Sequence, residues 1–239
     1  MLLTSDVYQF HRLLGVGPWG GNVFLLAGES LTLVDTGFKG QADHIFKETM
    51  RLGFSMSDIS SIIITHHHPD HTGSLATIKE VTGARVLAHP ADAPYIEGHL
   101  LQPGPARHDW FNSTLAPYRG LWSTTPVTVD EFLNDGDTLP ILGGVKVLHT
   151  PGHTEGSISL FIPDKRLVII GDLLSNSLGL RFPSRTFTVD MSKEISSIKR
   201  IAELDFDTVC FGHGLAMTKR ARQRISAFAE RVSVSSRYS

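Results

Sequence analysis

The chain has 239 residues, 41 % of them apolar and 19 % charged, which is the composition of a globular protein able to bury a full hydrophobic core. Its net charge of −2 gives no electrostatic basis for binding nucleic acid or an anionic membrane. The single cysteine, Cys210, excludes an internal disulfide framework and a cysteine-rich zinc module. It lies in Val209-Cys210-Phe211, the setting of a small core residue rather than of a nucleophile. Met1 to Asp6 has neither the basic nor the apolar region of a leader, and no apolar run reaches the ~20 residues of a membrane span. The expectation is therefore a soluble cytoplasmic protein.

Val7 to Leu14 reads as a first strand, followed by a turn, Gly15-Val16-Gly17-Pro18-Trp19-Gly20-Gly21, rich in residues that permit unusual dihedrals. Asn22 to Ala27 and Leu31 to Val34 are further strands, the second ending in Asp35-Thr36-Gly37. Gln41 to Leu52 is expected to be a helix closed by Gly53, with Ile45, Met50 and Leu52 among its buried residues. Ile59 to Thr65 is too apolar and β-branched for an edge strand. It runs into Thr65-His66-His67-His68-Pro69-Asp70-His71-Thr72-Gly73, where four imidazoles and a carboxylate fall within six consecutive residues. Imidazole and carboxylate are the ligand set of a borderline metal such as zinc. A tag remnant or polar linker would sit in a low-complexity setting near a terminus. This cluster instead follows a buried strand deep in the chain.

A helix from Ser74 to Val81 ended by Gly83, and a strand from Ala84 to Ala88, come next. Residues 90 to 126 are rich in Pro and Gly and hold an aromatic helix candidate with Trp110, Phe111, Tyr118 and Trp122. A connection of this length reads as a cap over a pocket, or as a satellite core holding the loop down. Val145 to Leu148, Ile158 to Ile162 and Leu167 to Ile170 are strands, with a turn at Pro163-Asp164-Lys165. The first leads to His149-Thr150-Pro151-Gly152-His153-Thr154, the third to Gly171-Asp172. Asp190 is placed to N-cap a helix that turns Ile195, Ile198, Ala202 and Leu204 inward. Thr208 to Phe211 is a strand ending in Gly212-His213-Gly214. Last, Ala221, Ile225, Phe228, Ala229 and Val232 share one helical face, and Lys219, Arg220, Arg222 and Arg224 form a solvated one.

Two halves of similar outline predict two packed sheets with helices outside. Polar residues recur at the strand ends, where rigid scaffolds place chemistry. His66 and His68, two residues apart in an extended segment, project to the same side and can grip one ion, which turns His67 away. Asp70 and His71, past the turn at Pro69, can serve a second. Asp172, a carboxylate after three apolar residues, needs a metal or hydrogen-bonding partner.

Asp35-Thr36-Gly37, His66-His67-His68-Pro69-Asp70-His71, Pro151-Gly152-His153-Thr154, Gly171-Asp172 and Gly212-His213-Gly214 resemble the five ordered motifs of the metallo-β-lactamase superfamily. The resemblance implies an α/β fold, a four-layer αββα sandwich of two mixed sheets with external helices, and one metallo-hydrolase domain over residues 1–239. It implies two divalent cations, zinc first, with iron and manganese as the other candidates. One would be held by His66, His68 and His153, the other by Asp70, His71 and His213, with Asp172 bridging and Asp35 supporting from behind. The implied catalyst is a metal-bridging hydroxide attacking an ester, lactone, thioester or phosphoester, with Asp70 and Asp172 the catalytic carboxylates. Asp70 would orient the hydroxide or pass on its proton.

Members that open β-lactams typically carry cysteine or serine at the position of Asp172, so that activity is disfavoured. Glyoxalase II adds a C-terminal helical domain, whereas the residues after His213 leave room for one helix. Lactonases of the superfamily carry a catalytic tyrosine where this chain has Ser175. Two rivals remain, an iron-dependent persulfide dioxygenase using only His66, His153 and Asp172, and a non-catalytic metal-binding protein. The substrate is expected to be a small molecule, with Trp19, Trp110, Phe111, Tyr118, Trp122 and the loop from Ser175 to Arg185 as pocket candidates, Trp19 equally a core candidate. An aromatic mouth favours a hydrophobic acyl or aryl ester. The oligomeric state stays open, a homodimer included. His89, His99, His108 and His149 are read as structural or solvent-exposed histidines without a role.

Overall fold

The computed structural model describes residues 1–10, 20–101 and 124–234. Strands β1 (Leu2–Thr4), β2 (Val7–Phe10), β3 (Val23–Ala27), β4 (Leu31–Val34), β5 (Ile59–Ile63), β6 (Arg85–Ala88) and β7 (Glu131–Phe132) form a seven-stranded sheet in chain order. β1 to β4 pair antiparallel, and β4 to β7 run parallel. Strands β8 (Thr138–Leu139), β9 (Val145–His149), β10 (Ile158–Ile162), β11 (Leu167–Ile169) and β12 (Thr208–Cys210) form a five-stranded sheet in the order β12-β11-β10-β9-β8. There β11 and β12 are parallel and the other pairs antiparallel. The helices are α1 (Ala42–Arg51), α2 (Pro69–Thr72), α3 (Leu75–Thr82), α4 (Ala93–Ile96), α5 (Met191–Ala202) and α6 (Ala221–Val234).

Successive strand residues face opposite sides, and here both sides are apolar, so alternation sorts the side chains into three layers. Leu25, Leu33, Ile62 and Val86 point outward from the first sheet onto Ile45 of α1 and Leu75 and Ile78 of α3. Phe24, Leu26, Val34, Ile63 and Leu87 point inward and meet Val145, Val147, Leu160, Ile162 and Ile169 of the second sheet. The other face of that sheet, Val168 and Val209, packs on Ile198 and Ile201 of α5 and Ile225 and Phe228 of α6. The result is the expected αββα order of layers. Each such side chain stabilises the fold by about 1.5–3 kcal/mol through removal from water. Phe24→Ala, in the middle layer, would cost roughly 3–5 kcal/mol.

Most strands match their expected ranges within a residue or two. β5 stops at Ile63 and β12 at Cys210, so the buried Ile64 and Phe211 already lie beyond the strands, which end slightly earlier than the apolar runs indicate. β1, β7 and β8 were not anticipated, being three, two and two residues long. In α1 the buried residues are Ala42, Ile45 and Thr49, and Met50 is 55 % exposed rather than buried. Thr49 lies one turn from Ile45, and its hydroxyl donates to the Ile45 carbonyl at 2.8 Å, so it takes the inward position. Asp190 caps α5, accepting from the backbone N–H groups of Ser192 and Lys193 at 2.8 and 3.0 Å. All five residues of the expected apolar face of α6 are buried, and Lys219, Arg220, Arg222 and Arg224 are exposed. Of the stretch from 90 to 126, α4 lies among the described residues. Trp19, Trp110, Phe111, Tyr118, Trp122 and His108 lie outside them. No helix among the described residues is long and apolar enough to cross a membrane.

Candidate metal centre

The chain brings its polar motifs together where β4, β5, β9, β11 and β12 end. Asp35 follows β4 in the left-handed conformation, φ 61°, which a short polar side chain tolerates better than most. His68 is extended at φ −61°, ψ 149°, and Pro69 then starts the single turn of α2, its missing N–H costing nothing at that position. The extended run aims His66 and His68 the same way, and the helical turn re-aims Asp70 and His71. Gly212 stands so close to Asp172 and to the His71 ring that a Cβ there would collide with both. Gly21 is likewise pressed on the Asp70 carbonyl. Those two positions accept only glycine without movement of the site.

The side chains form two adjoining groups. His66, His68 and His153 are buried and converge in one; Asp70, His71, Asp172 and His213 converge in the other, with the donor atoms of each group within 4.8 Å of one another. His68 Nδ1 stands 2.9 Å from His153 Nε2, and the rings of His66 and His68, like those of His66 and His153, meet edge to face with centroids 4.9 Å apart. In the second group His213 Nε2 lies 3.0 Å from Asp70 Oδ2 and 3.1 Å from Asp172 Oδ2. Asp172 sits between the groups: Oδ2 is also 3.6 Å from His153 Nε2, and Oδ1 is 3.4 Å from His71 Nε2.

Hydrogen bonds behind the rings assign their tautomers. The Thr65 hydroxyl donates to Asp35 Oδ2 at 2.7 Å, so at 3.1 Å from His66 Nδ1 it must accept from that N–H. The Thr188 hydroxyl donates to the Ser184 carbonyl and lies 3.3 Å from His153 Nδ1, which likewise must carry the proton. Asp35 Oδ2 accepts directly from His71 Nδ1 at 2.7 Å. In His66 and His153 the Nε2 lone pair is thereby left facing the cluster, and His71 likewise turns its Nε2 toward it. One carboxylate, Asp35, thus orients a ring in each group.

Charge follows the same division. Burial, reinforced by neighbouring imidazoles, holds His66 and His68 well below the ordinary histidine range, and burial drives His153 down to about 4. Those three are neutral Lewis bases at pH 7. Burial opposes the charged form of His71 and His213, but the carboxylates beside them outweigh it, Asp35 foremost for His71 and Asp172 for His213. His71 is raised well above its usual value and His213 to about 10. Burial also works against ionised Asp70 and Asp172, and the facing imidazoles overcome it, keeping both carboxyls below their ordinary range.

A metal fits this donor set. His66 Nε2, His71 Nε2 and Asp172 Oδ1 are buried with no hydrogen-bond partner. Such atoms cost about 1–3 kcal/mol each when left unmade. Two inward nitrogens 2.9 Å apart on neutral rings repel unless a proton or cation lies between. Imidazole nitrogen and carboxylate oxygen are the donors a zinc-like ion takes.

His67 faces elsewhere, its ring stacked on Tyr95 at 4.3 Å, with an interplanar angle of 22°. His89 and His149 stack on each other at 4.1 Å, and His99 is largely exposed. Ser175 is buried beside Ser177, while Arg181 and Arg185 are exposed. Sequence reasoning missed Thr65 and Thr188, whose hydroxyls hold ligand rings, and Asn22. The Asn22 side-chain amide donates to the carbonyls of Phe211 and Gly214 on either side of His213. Only adjacency to a ligand motif would have marked Thr65. Thr188 and Asn22 carry no local signal.

The family model described as the metallo-beta-lactamase superfamily matches residues 16–213. The protein named "Probable metallo-hydrolase YflN" of Bacillus subtilis (strain 168) is 30% identical over 220 residues, covering 85% of this chain and 83% of that one. A hydroxyacylglutathione hydrolase of Pseudomonas aeruginosa (strain LESB58) is 36% identical over 118 residues, 48% of this chain and 33% of that protein. Among solved structures, a metallo-beta-lactamase family protein from Thermus thermophilus superimposes with a TM-score of 0.73 at 23% identity, covering 97% of this chain and 81% of that one. That likeness bears on the fold, while the family match runs through every one of the strand-end motifs. The chain belongs to the metallo-β-lactamase superfamily and is a metallo-hydrolase with a histidine–aspartate metal-binding cluster.

Proposed function

We propose that the chain is a dinuclear hydrolase of ester bonds in a small-molecule substrate, built as one metallo-hydrolase domain. His66, His68 and His153 hold one divalent cation, Asp70, His71 and His213 a second, and Asp172 is shared. The observation that carries this reading is the position of Asp172, with one oxygen 3.1 Å from His213 Nε2 and 3.6 Å from His153 Nε2. A carboxylate so placed can serve two ions. Zinc is the preferred ion by donor type.

Bound zinc supplies Lewis acidity and brings the pKa of a water from ~15.7 toward ~7. The chain's own groups do the rest. The neutral rings of the first group present fixed lone pairs, so little reorganisation is needed as charge develops. Asp70, with its side chain 17 % exposed against 8 % for Asp172, lies on the open side of the cluster. Its Oδ2, ionised because His71 and His213 face it, can accept a proton from the attacking water and release it to the departing group. Asp172, held deeper, keeps its ligand geometry rather than exchanging protons. An aspartate there, in place of the cysteine or serine of β-lactam-opening members, favours esters, lactones, thioesters or phosphoesters.

The test is a panel of lactones, thioesters, aryl esters and phosphotriesters offered to zinc-loaded parent, His68→Ala and Asp172→Ala proteins. The parent is expected to turn over at least one class, and both variants to lose that turnover while keeping a native circular dichroism spectrum. Unchanged hydrolysis in either variant contradicts the shared two-ion arrangement. A single iron with oxygen uptake on a glutathione persulfide replaces hydrolysis with the dioxygenase reading.

A further inference from the structure

Asp92 is buried, 1 % exposed, and is not one of the seven clustered side chains. It stands at the N-terminal boundary of α4, yet its side chain makes no capping bond to that helix. Its oxygens reach instead to two other loops. Oδ2 accepts from the backbone N–H of His67 at 2.8 Å and from the Thr154 hydroxyl at 2.8 Å. Oδ1 accepts from the backbone N–H of Gly156 at 2.8 Å. Gly156 has no room for a side chain because the Asp92 carboxylate and backbone occupy the space where its Cβ would go.

The partners matter more than their number. His67 lies between His66 and His68, and Thr154 directly follows His153. One loop leaves the first sheet after β5, and the other leaves the second sheet after β9. The three imidazoles of the first group therefore come from different sheets, and one carboxylate grips the backbone of both loops. A carboxylate holding three donors is satisfied without a cation beside it, and its bonds are of the stronger, charge-assisted kind. The Thr154 hydroxyl is oriented in turn by the Ser157 hydroxyl at 2.8 Å.

We infer that Asp92 is a positioning residue for the first ion, setting the distance between the His66–His68 pair and His153. The inference rests on the reading of those three histidines as metal ligands. Ligand geometry must hold to about 0.5 Å for full affinity, and outer partners of ligands typically account for about 10–100-fold in metal binding. Asp92→Asn keeps one acceptor oxygen but turns the other position into an N–H donor facing a donor. Either the Gly156 N–H or the His67 and Thr154 pair loses its partner. Thr154→Val removes a single bond of the same tie and leaves the carboxylate in place.

The experiment uses the full chain, stripped of metal, reloaded with zinc, and titrated against a chromogenic chelator, with apo-protein unfolding followed in parallel. The parent is expected to release two equivalents in separable steps. In Asp92→Asn one equivalent should leave at about 10–100-fold lower chelator concentration while the other is unmoved. Thr154→Val should move the same equivalent in the same direction by a smaller factor. Cobalt in place of zinc gives a second readout, since the absorption of the weakened ion should change shape as well as affinity. Parent and variant release curves that superimpose overturn the inference and leave the metal-centre reading standing. Equal weakening of both equivalents marks a general loss of fold and overturns it too. A parent that takes up no zinc or cobalt overturns the metal-centre reading, and this inference with it.

Discussion

Asp35→Asn changes one buried oxygen into an amide while sparing the backbone, because asparagine also tolerates the left-handed conformation at φ 61°. Asp35 Oδ1 accepts from the Thr65 N–H at 2.8 Å, and Oδ2 accepts from the Thr65 hydroxyl and from His71 Nδ1, both at 2.7 Å. The amide oxygen can keep one of those sides. If it keeps the hydroxyl and the imidazole, the Thr65 N–H faces a donor and costs about 1–3 kcal/mol as a buried unmade bond. The remaining bonds lose their charge assistance, about 1 kcal/mol more. A total near 3 kcal/mol corresponds to a fall in Tm of about 6–12 °C for a chain of this size. Metal affinity should fall about 10–100-fold, since Asp35 orients His71 directly and His66 through Thr65. Thermal unfolding of the apo-protein reads the first effect and chelator competition the second. An apo-protein Tm within about 2 °C of the parent, together with unchanged metal affinity, would refute the network as drawn.

His67→Ala should retain metal and hydrolysis, because its ring stacks on Tyr95 rather than joining the cluster, whereas His68→Ala should lose one metal equivalent and hydrolysis; inductively coupled plasma analysis with an activity assay separates them. Asp190→Ala should lower stability by about 1 kcal/mol through loss of the α5 cap, measured in urea, with kcat unchanged. Cys210 should resist a disulfide-exchange thiol reagent in the native protein and react on unfolding, since it is fully buried and burial pushes its thiol above the ordinary range. Fast native labelling would contradict its place between the sheets.

Residues whose environment is set locally were legible in the sequence. Ile62 and Ile63 lie on opposite faces of β5, and both faces are covered, so Ile62-Ile63-Ile64 reads as one apolar run ending just before Thr65 and the histidines. The five motifs could be ordered along the chain because each marks such an ending. Met50 was misread because an apolar residue one position from the buried stripe looks like a member of it, while Thr49 buries its methyl and returns its hydroxyl to Ile45. The short strands β7 and β8 draw their pairing from neighbours and have too few residues to show a period. Asp92 shows the limit most plainly. Its local sequence carries no signal, because its partners lie at residues 67, 154 and 156, brought near only by the packing of the two sheets.

The central claim is that two ions share one centre through Asp172. Apo-protein titrated with zinc while hydrolysis of the best panel substrate is followed addresses it directly. Two bound equivalents are expected, with turnover rising as the second is filled, and one equivalent in Asp172→Ala or His213→Ala. Full turnover at one equivalent, or hydrolysis that survives complete removal of metal, would contradict it.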